Sequence, residues 1–364
     1  MSSGVTGGWG DPNQNVAGPL GHSPLRRPKS VRRTMALEAT WPDGETGLAH
    51  IDGRARDVFT PDFADESALP APTVLGAAEI QTVIGRSRDI AQISSTPAPE
   101  AIKELVGCRG GGHLRLAISD RLPEERALGT PLYLLLDDLA GTTLVAPFAW
   151  SRWNPEWMKS AGTPDENRES VAVSVGRMTD EEMATRRSRM ENICIGFASG
   201  SSSLTEDRGS SHRVQPVVSL INPEDPAGWH QLPDLPPQSF RRARRIDVWN
   251  DADDDDTIVI DAMFQDSAGD PKVGRVAIHE YAYFATASRS SGLLTSIGAD
   301  PRILPFRECP SAPNNLQWLV GTPIAEMRQT VLDKLARTNG CTHLNDAMRA
   351  LAEVPILASH LPRS

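Results

Sequence analysis

Gly340-Cys341-Thr342-His343-Leu344 is the most pointed run of residues in this 364-residue chain. It stands where the last helix is expected to start. Backbone N–H groups are unpaired at a helix start, and the helix dipole favours negative charge there. A cysteine in that place tends toward a lowered pKa, and so toward a reactive thiolate or a metal ligand. His279, in an aromatic stretch, and Cys309, just before Pro310, are its candidate neighbours. Cys341 with His343 and His279 would suit nucleophilic attack on an ester, thioester or similar acyl group, with a histidine as acid/base partner. The set Cys309, Cys341, His343 and His279 also has the right types for zinc, although the long spacings match no zinc signature. A plainer reading stands beside both. Free cysteine packs as a small hydrophobe, and residues two apart on a helix do not usually face each other.

Arg241 to Arg245 could clamp a carboxylate or phosphate, which makes Arg241, Arg245 and Asp261 candidate substrate-binding residues. The simpler expectation pairs these arginines with the acidic turn Asp253 to Asp256. That turn lacks the ligand spacing of a calcium loop. Asp261 and Asp266 are an odd number of positions apart on one expected strand, so they point to opposite faces. Trp150, Trp153 and Trp157 have near-helical spacing and suit core packing. Gly110-Gly111-Gly112 is too short for a phosphate loop.

Two stretches echo each other at an offset of 209 residues. Pro28-Lys29-Ser30-Val31-Arg32-Arg33 is answered by Pro237-Gln238-Ser239-Phe240-Arg241-Arg242, and Ile51-Asp52 with Asp57 by Ile260-Asp261 with Asp266. Further echoes follow in the same order. Leu105-Val106-Gly107 matches Leu319-Val320-Gly321, and Leu114-Arg115 with Asp120 matches Met327-Arg328 with Asp333. Gly129-Thr130-Pro131-Leu132 matches Gly340 to Leu344 with one residue inserted. Four echoes at nearly constant offset point to a degenerate duplication. The earlier copy has neither Cys nor His at its helix start, and it places Ser95 opposite Cys309. It therefore serves as an internal control, marking what the unit needs in order to fold.

The elements follow from this division. Residues 1–24 read as a disordered tail, 25–145 as the degenerate first copy, 146–236 as a connecting insert with one helix and a mobile loop, and 237–358 as the second copy. In copy one, 31–41 and 47–59 read as strands joined by Pro42-Asp43-Gly44, with helices over 100–107 and 114–122. In copy two, 240–249, 257–265, 275–287 and part of 292–306 read as strands, and 316–320, 324–337 and 344–354 as helices. Within the insert, Thr179-Asp180-Glu181-Glu182 opens a helix to about Asn192, Ser199 to Ser211 reads as the loop, and Pro223 to Pro237 as a connector. Strands first and helices afterwards give an α+β class: two related units, each an antiparallel sheet followed by helices, packed as a pseudo-dimer.

A net charge of −10 argues against a chain-wide nucleic-acid or membrane footprint. None of the four cysteines forms a Cys-x-x-Cys, the N-terminus has no apolar signal region, and no run of eighteen apolar residues occurs. A cytoplasmic location, a small-molecule ligand and no nucleic-acid or membrane partner are the expectation; the oligomeric state stays open.

Residues of about 240 to 357 resemble the family called domain of unknown function 2889. The stretches that carry the resemblance are Asp247-Val248-Trp249, Ile260-Asp261 with Asp266, Ile278-His279-Glu280, Cys309-Pro310, Leu319-Val320-Gly321 and Gly340-Cys341-Thr342-His343-Leu344. The resemblance implies a unit boundary and a motif, and no activity. The sequence leads to two expectations. One is a small-molecule-acting enzyme or ligand-binding protein with a single Cys/His site in copy two and no required cofactor. The alternative is a non-catalytic accessory protein with a structural Cys/His zinc site.

Overall fold

The computed structural model describes residues 18–65, 69–154, 185, 188–204 and 215–362. Its centre is one eight-stranded antiparallel sheet in the order β4-β3-β2-β1-β5-β6-β7-β8. The strands are β1 (Ser30–Thr40), β2 (Ala49–Thr60), β3 (Thr73–Ile84), β4 (Ile90–Thr96), β5 (Ser239–Asn250), β6 (Thr257–Asp270), β7 (Gly274–Ser288) and β8 (Leu294–Ile303). The α+β class is as expected. The two halves do not form separate sheets, however, because β1 pairs with β5 along its whole length and fuses them. Strands β3 and β4 carried too little apolar alternation to be read from sequence, and pairing with β2 recruits them.

β1 and β5 are buried on both faces, which is why their sequences do not alternate simply. Helices cover one face: α1 (Gly112–Arg121), α2 (Pro123–Leu128), α3 (Pro131–Val145), α4 (Met327–Lys334), α5 (Thr342–Arg349) and α6 (Val354–Ser359). The start of α3 is capped by the Thr130 hydroxyl, which accepts from the Tyr133 N–H, with Pro131 next. Pro131–Arg152 is long and apolar enough to cross a membrane, but 78% of its most apolar window is buried inside the protein, as in a core helix.

The other face is covered by two segments that sequence reasoning left loose. Residues 18–24, assigned to a disordered tail, are pinned down. The Leu20 N–H donates to the Glu280 carboxylate, the Ser23 N–H to the Leu220 carbonyl, and Trp229 Nε1 to Ser23 Oγ at 2.6 Å. The Pro-rich connector supplies Asp225, which takes Arg26 at 2.9 Å, and Trp229, which packs with Leu220, Ala243 and Met263. These partners are some 200 residues away in the chain, so no local pattern announces them. Trp150 stacks edge-on to Trp41 at 5.7 Å, as core packing requires. Trp157, the 179–182 helix start and much of the 199–211 loop lie outside the described residues.

The echoed strings occupy matching places. Arg33 grips Asp57 and Arg242 grips Asp266, each through a two-pronged guanidinium–carboxylate pair. The β2–β3 register slips between Asp57 and Val58, and the β6–β7 register slips between Asp266 and Ser267, the same two positions at the 209 offset. Gly107 and Gly321 both take positive φ, 83° and 79°. Each donates its N–H at 2.8 Å to the carbonyl that opens a strand, Ile90 or Leu294. One assigned correspondence fails. Ser95 lies on β4 opposite Ile80, whereas Cys309 follows β8 and opens the 3-10 segment Cys309–Leu319. The connection after β8 is longer than the one after β4, so the constant offset breaks there.

Candidate functional site

The bulge at Asp266 sets the floor of the site. Asp266 and His279 are register partners on β6 and β7, and both point to the helix face. Arg242 Nε and Nη2 hold the Asp266 carboxylate at 2.8 and 2.9 Å, and Asp266 Oδ2 lies 3.2 Å from His279 Nδ1. The imidazole of His343 stacks on His279 with ring centroids 3.5 Å apart and planes 19° from parallel. Cys341 Sγ is 4.0 Å from His343 Nδ1.

Sequence spacing argued against that last contact. It forms because Cys341 is the N-cap of α5, with an extended backbone (φ −114°, ψ 132°), and only His343 is helical. The two side chains therefore converge although residues two apart inside a helix diverge. Cys341 is 2% exposed and Cys309 3%. The thiol of Cys309 lies against the sulfur of Cys341.

The insert closes the site from above. The Ile195 N–H donates to the Gly340 carbonyl at 2.9 Å, and Glu308 accepts from the backbone and hydroxyl of Ser202, both at 2.8 Å. Cys194, absent from the sequence-based candidates, is buried beside Cys341 and Cys309. Tyr281 Oη is the common neighbour of all three sulfurs. Only its place two residues after His279 on the same strand face could have signalled it. From sequence, Asp266 points to the opposite strand face from Asp261 and carries no link to His279.

Charge at the site follows from these contacts. Hydrogen bonding from Cys309, opposed by burial and helped by His343, holds the Cys341 thiol well below the usual cysteine value. The same sulfur contact, with burial, pushes Cys309 well above it. Burial, with His343 alongside, lowers His279 to about 4 although Asp266 opposes the shift, so the ring is neutral at pH 7. Arg242 and the His279 hydrogen bond overcome burial and hold Asp266 well below the carboxylate range. His343 Nε2 is buried without a hydrogen-bond partner among the described residues, and the buried Tyr281 hydroxyl faces the Cys341 sulfur.

The expected metal quartet is not the group the fold gathers most tightly. Among the described residues, the cluster with ligand atoms within 4.8 Å of one another is Asp266, His279 and His343. An ion bound by both rings would need to lie near the plane of each, and stacked rings send their lone pairs side by side. The carboxylate is also already held on both oxygens by Arg242.

Arg241, Arg245 and Asp261 lie on the opposite face of the sheet from Cys341. Arg241 pairs with Glu38 at 2.8 Å, and Arg245 pairs with Asp247 and Asp261. The acidic turn is not their partner, because it lies beyond the end of β5 and its Asp256 instead accepts from Ser288 and Ser290. Arg245 and Asp261 line an open cleft of ≈ 210 Å³ with Leu20, His22 and Met263; Arg241 does not. The substrate-binding trio is thus separated from the thiol by the sheet and joined in ion pairs instead.

Residues 240–357 match the model of a family described as Protein of unknown function (DUF2889), about a third of the chain. The match takes in Arg242, Asp266, His279, Tyr281, Cys309, Cys341 and His343, and leaves out Cys194. No curated protein and no solved structure matches the chain.

Proposed function

We propose that Cys341 is the nucleophile of an acyl-transfer or acyl-hydrolysis enzyme, with His343 as its acid/base partner. The observation that carries this reading is the approach of Cys341 Sγ to His343 Nδ1, 4.0 Å, with Nε2 of the same ring left unpartnered among the described residues. The thiolate attacks the carbonyl carbon of an ester or thioester. The tetrahedral adduct then expels the alcohol or thiol, which leaves with a proton from His343. The acyl group stays on sulfur as a thioester until water or another nucleophile takes it. His279 fixes the plane of His343, and Asp266 fixes His279. Tyr281 Oη, beside the Cys341 sulfur, donates to the developing oxyanion.

The first half supports this reading by what it lacks. Gly76 faces Asp57 as His279 faces Asp266, and a Cβ on Gly76 would meet Pro131 at 3.6 Å. Pro131 holds the place of His343, and Thr130 caps where Cys341 caps. We read the chain as a duplicated unit packed as a pseudo-dimer. The first half kept the arginine–aspartate grip and lost the groups with chemistry.

Metal-free protein treated with limiting iodoacetamide at neutral pH should be alkylated at Cys341 first, and p-nitrophenyl acetate should leave an acetyl mass there. A second reading, a structural metal site in an accessory protein, draws on the Asp266, His279 and His343 cluster. Stoichiometric zinc in purified protein, lost in Cys341→Ala, would establish that reading instead. An inert, metal-free Cys341 would end both.

A further inference from the structure

Three cysteines that lie far apart in sequence meet at one point of the fold. Cys341 caps α5, Cys309 opens the 3-10 segment after β8, and Cys194 comes from the insert. Their convergence is visible from Gly196. A Cβ built there would lie 2.8 Å from Cys309 Sγ and 3.8 Å from Cys194 Sγ. Cys309 in turn contacts Cys341, and the Tyr281 hydroxyl faces the same Cys341 sulfur. Acyl transfer at Cys341 uses one thiol and gives the other two no work.

The first half again works as a comparison. Its corresponding elements carry no cysteine at the cap (Thr130) or in the 3-10 segment Glu100–Leu105, and its one cysteine, Cys108, sits apart beside Arg121 and Glu104. Thiols are therefore concentrated where the imidazoles are. Two sulfurs in contact, with a third close by, are the arrangement that oxidises to a disulfide through a sulfenic acid.

We propose that Cys341 and Cys309 form a two-thiol redox site, in which Cys341 reacts with a peroxide and Cys309 resolves it as an intramolecular disulfide. The Cys341 sulfur attacks one oxygen of hydrogen peroxide and the O–O bond breaks. The departing hydroxide takes up the thiol proton as water, leaving Cys341 as a sulfenic acid. The Cys309 sulfur then attacks the Cys341 sulfur and the S–O bond breaks. Hydroxide leaves with the Cys309 proton as a second water, and an S–S bond joins the two. Peroxide receives the two electrons that the thiols give up. Cys194 lies outside the pair and closes the site over it.

The test uses the full chain with one equivalent of hydrogen peroxide, read by intact mass and by non-reducing peptide mapping. The expected product is a monomer lighter by about 2 Da, with the peptides of Cys309 and Cys341 linked and the change reversed by dithiothreitol. Cys309→Ser should stop at the sulfenic acid, which dimedone traps on Cys341. Cys194→Ser should leave the link intact. A link through Cys194 or Cys108, a link between chains, or an unchanged mass overturns the proposal. Because the readout is oxidation and not acylation, this pairing and the acyl-transfer reading can fail separately. Inert Cys341 toward p-nitrophenyl acetate leaves the peroxide result standing, and failure to form the disulfide leaves the acetyl-enzyme result standing.

Discussion

Met35 and Arg244 face each other across the β1–β5 seam, and the 209-residue offset makes each the counterpart of the other. This is the register a two-fold axis between them would impose. It also explains why Arg32 pairs with Asp247 while Arg241 pairs with Glu38: each ion pair is the image of the other. On the axis itself the match is broken. Arg244 holds Asp138 from α3 at 2.9 and 2.8 Å, whereas Met35 is simply packed in the core.

Arg244→Met would make the axis position alike in both halves and leave Asp138 buried without its main partner. Stripping one member from a buried pair costs about 3–5 kcal/mol. The expected result is a large fall in the urea midpoint at unchanged slope, with Arg244→Met combined with Asp138→Leu recovering much of it. Equal losses in the single and double variants would show that the pair is not what matters there.

Asp57→Asn and Asp266→Asn separate folding from chemistry. Both weaken equivalent arginine grips, so comparable losses of stability are expected, on the order of 2–4 kcal/mol. Only Asp266 also touches an imidazole, at 3.2 Å. Asp266→Asn alone should therefore alter the rate of Cys341 alkylation. An equal change in both variants would mean that the thiol responds to general loosening.

Much of this frame was legible in the chain. The paired Arg-Arg and Ile-Asp-x4-Asp strings fixed which strands correspond, because a buried guanidinium needs its carboxylate at one register position and tolerates no drift. Cys341, His343, His279 and Cys309 were legible as reactive types, and the fold does bring them together. What stayed hidden depends on long-range contact. Asp266 became part of the site only through the β6–β7 register, Cys194 only through the fold of the insert, and Tyr281 only through which strand face is covered. The ion pairs of Arg241, Arg245 and Asp261 were hidden too, because a run of arginines looks the same whether it awaits a ligand or is already paired.

Stability should fall with acid earlier than carboxylate titration alone would cause. His279 and His230 are buried neutral, lowered to about 4 and about 3, chiefly by desolvation. In the unfolded chain each binds a proton near pH 6.5. The folded state binds it later, so the stabilisation is complete above about pH 6.5 and is lost as pH falls toward the folded values, by roughly 3 kcal/mol for His279 and roughly 5 kcal/mol for His230. Urea midpoints from pH 7.5 to 4.5 should show that slope, and His279→Gln and His230→Gln should each flatten it. A double variant as acid-sensitive as the wild type would assign the effect to other groups.

Gly141→Ala tests whether the ionic core reaches the site. A Cβ on Gly141, in the middle of α3, would collide with Arg242 Nη1 and lie 2.8 Å from Asp346 Oδ2. By the offset that relates Pro131 to His343, its counterpart in the second half is Glu353, whose carboxylate meets Arg33. Arg33 is thus answered by a carboxylate from the 3-10 segment Ala350–Glu353. Arg242 meets a gap at the matching place and takes Asp346 from α5. Filling that gap should cost about 1–3 kcal/mol, the usual range for overpacking. Arg242 also positions Asp266, and Asp266 positions His279, so the displaced guanidinium should slow Cys341 alkylation as well. Loss of stability with an unchanged alkylation rate would show that Asp266 keeps its place without Arg242, and the chain of contacts from helix to thiol would then end at the arginine.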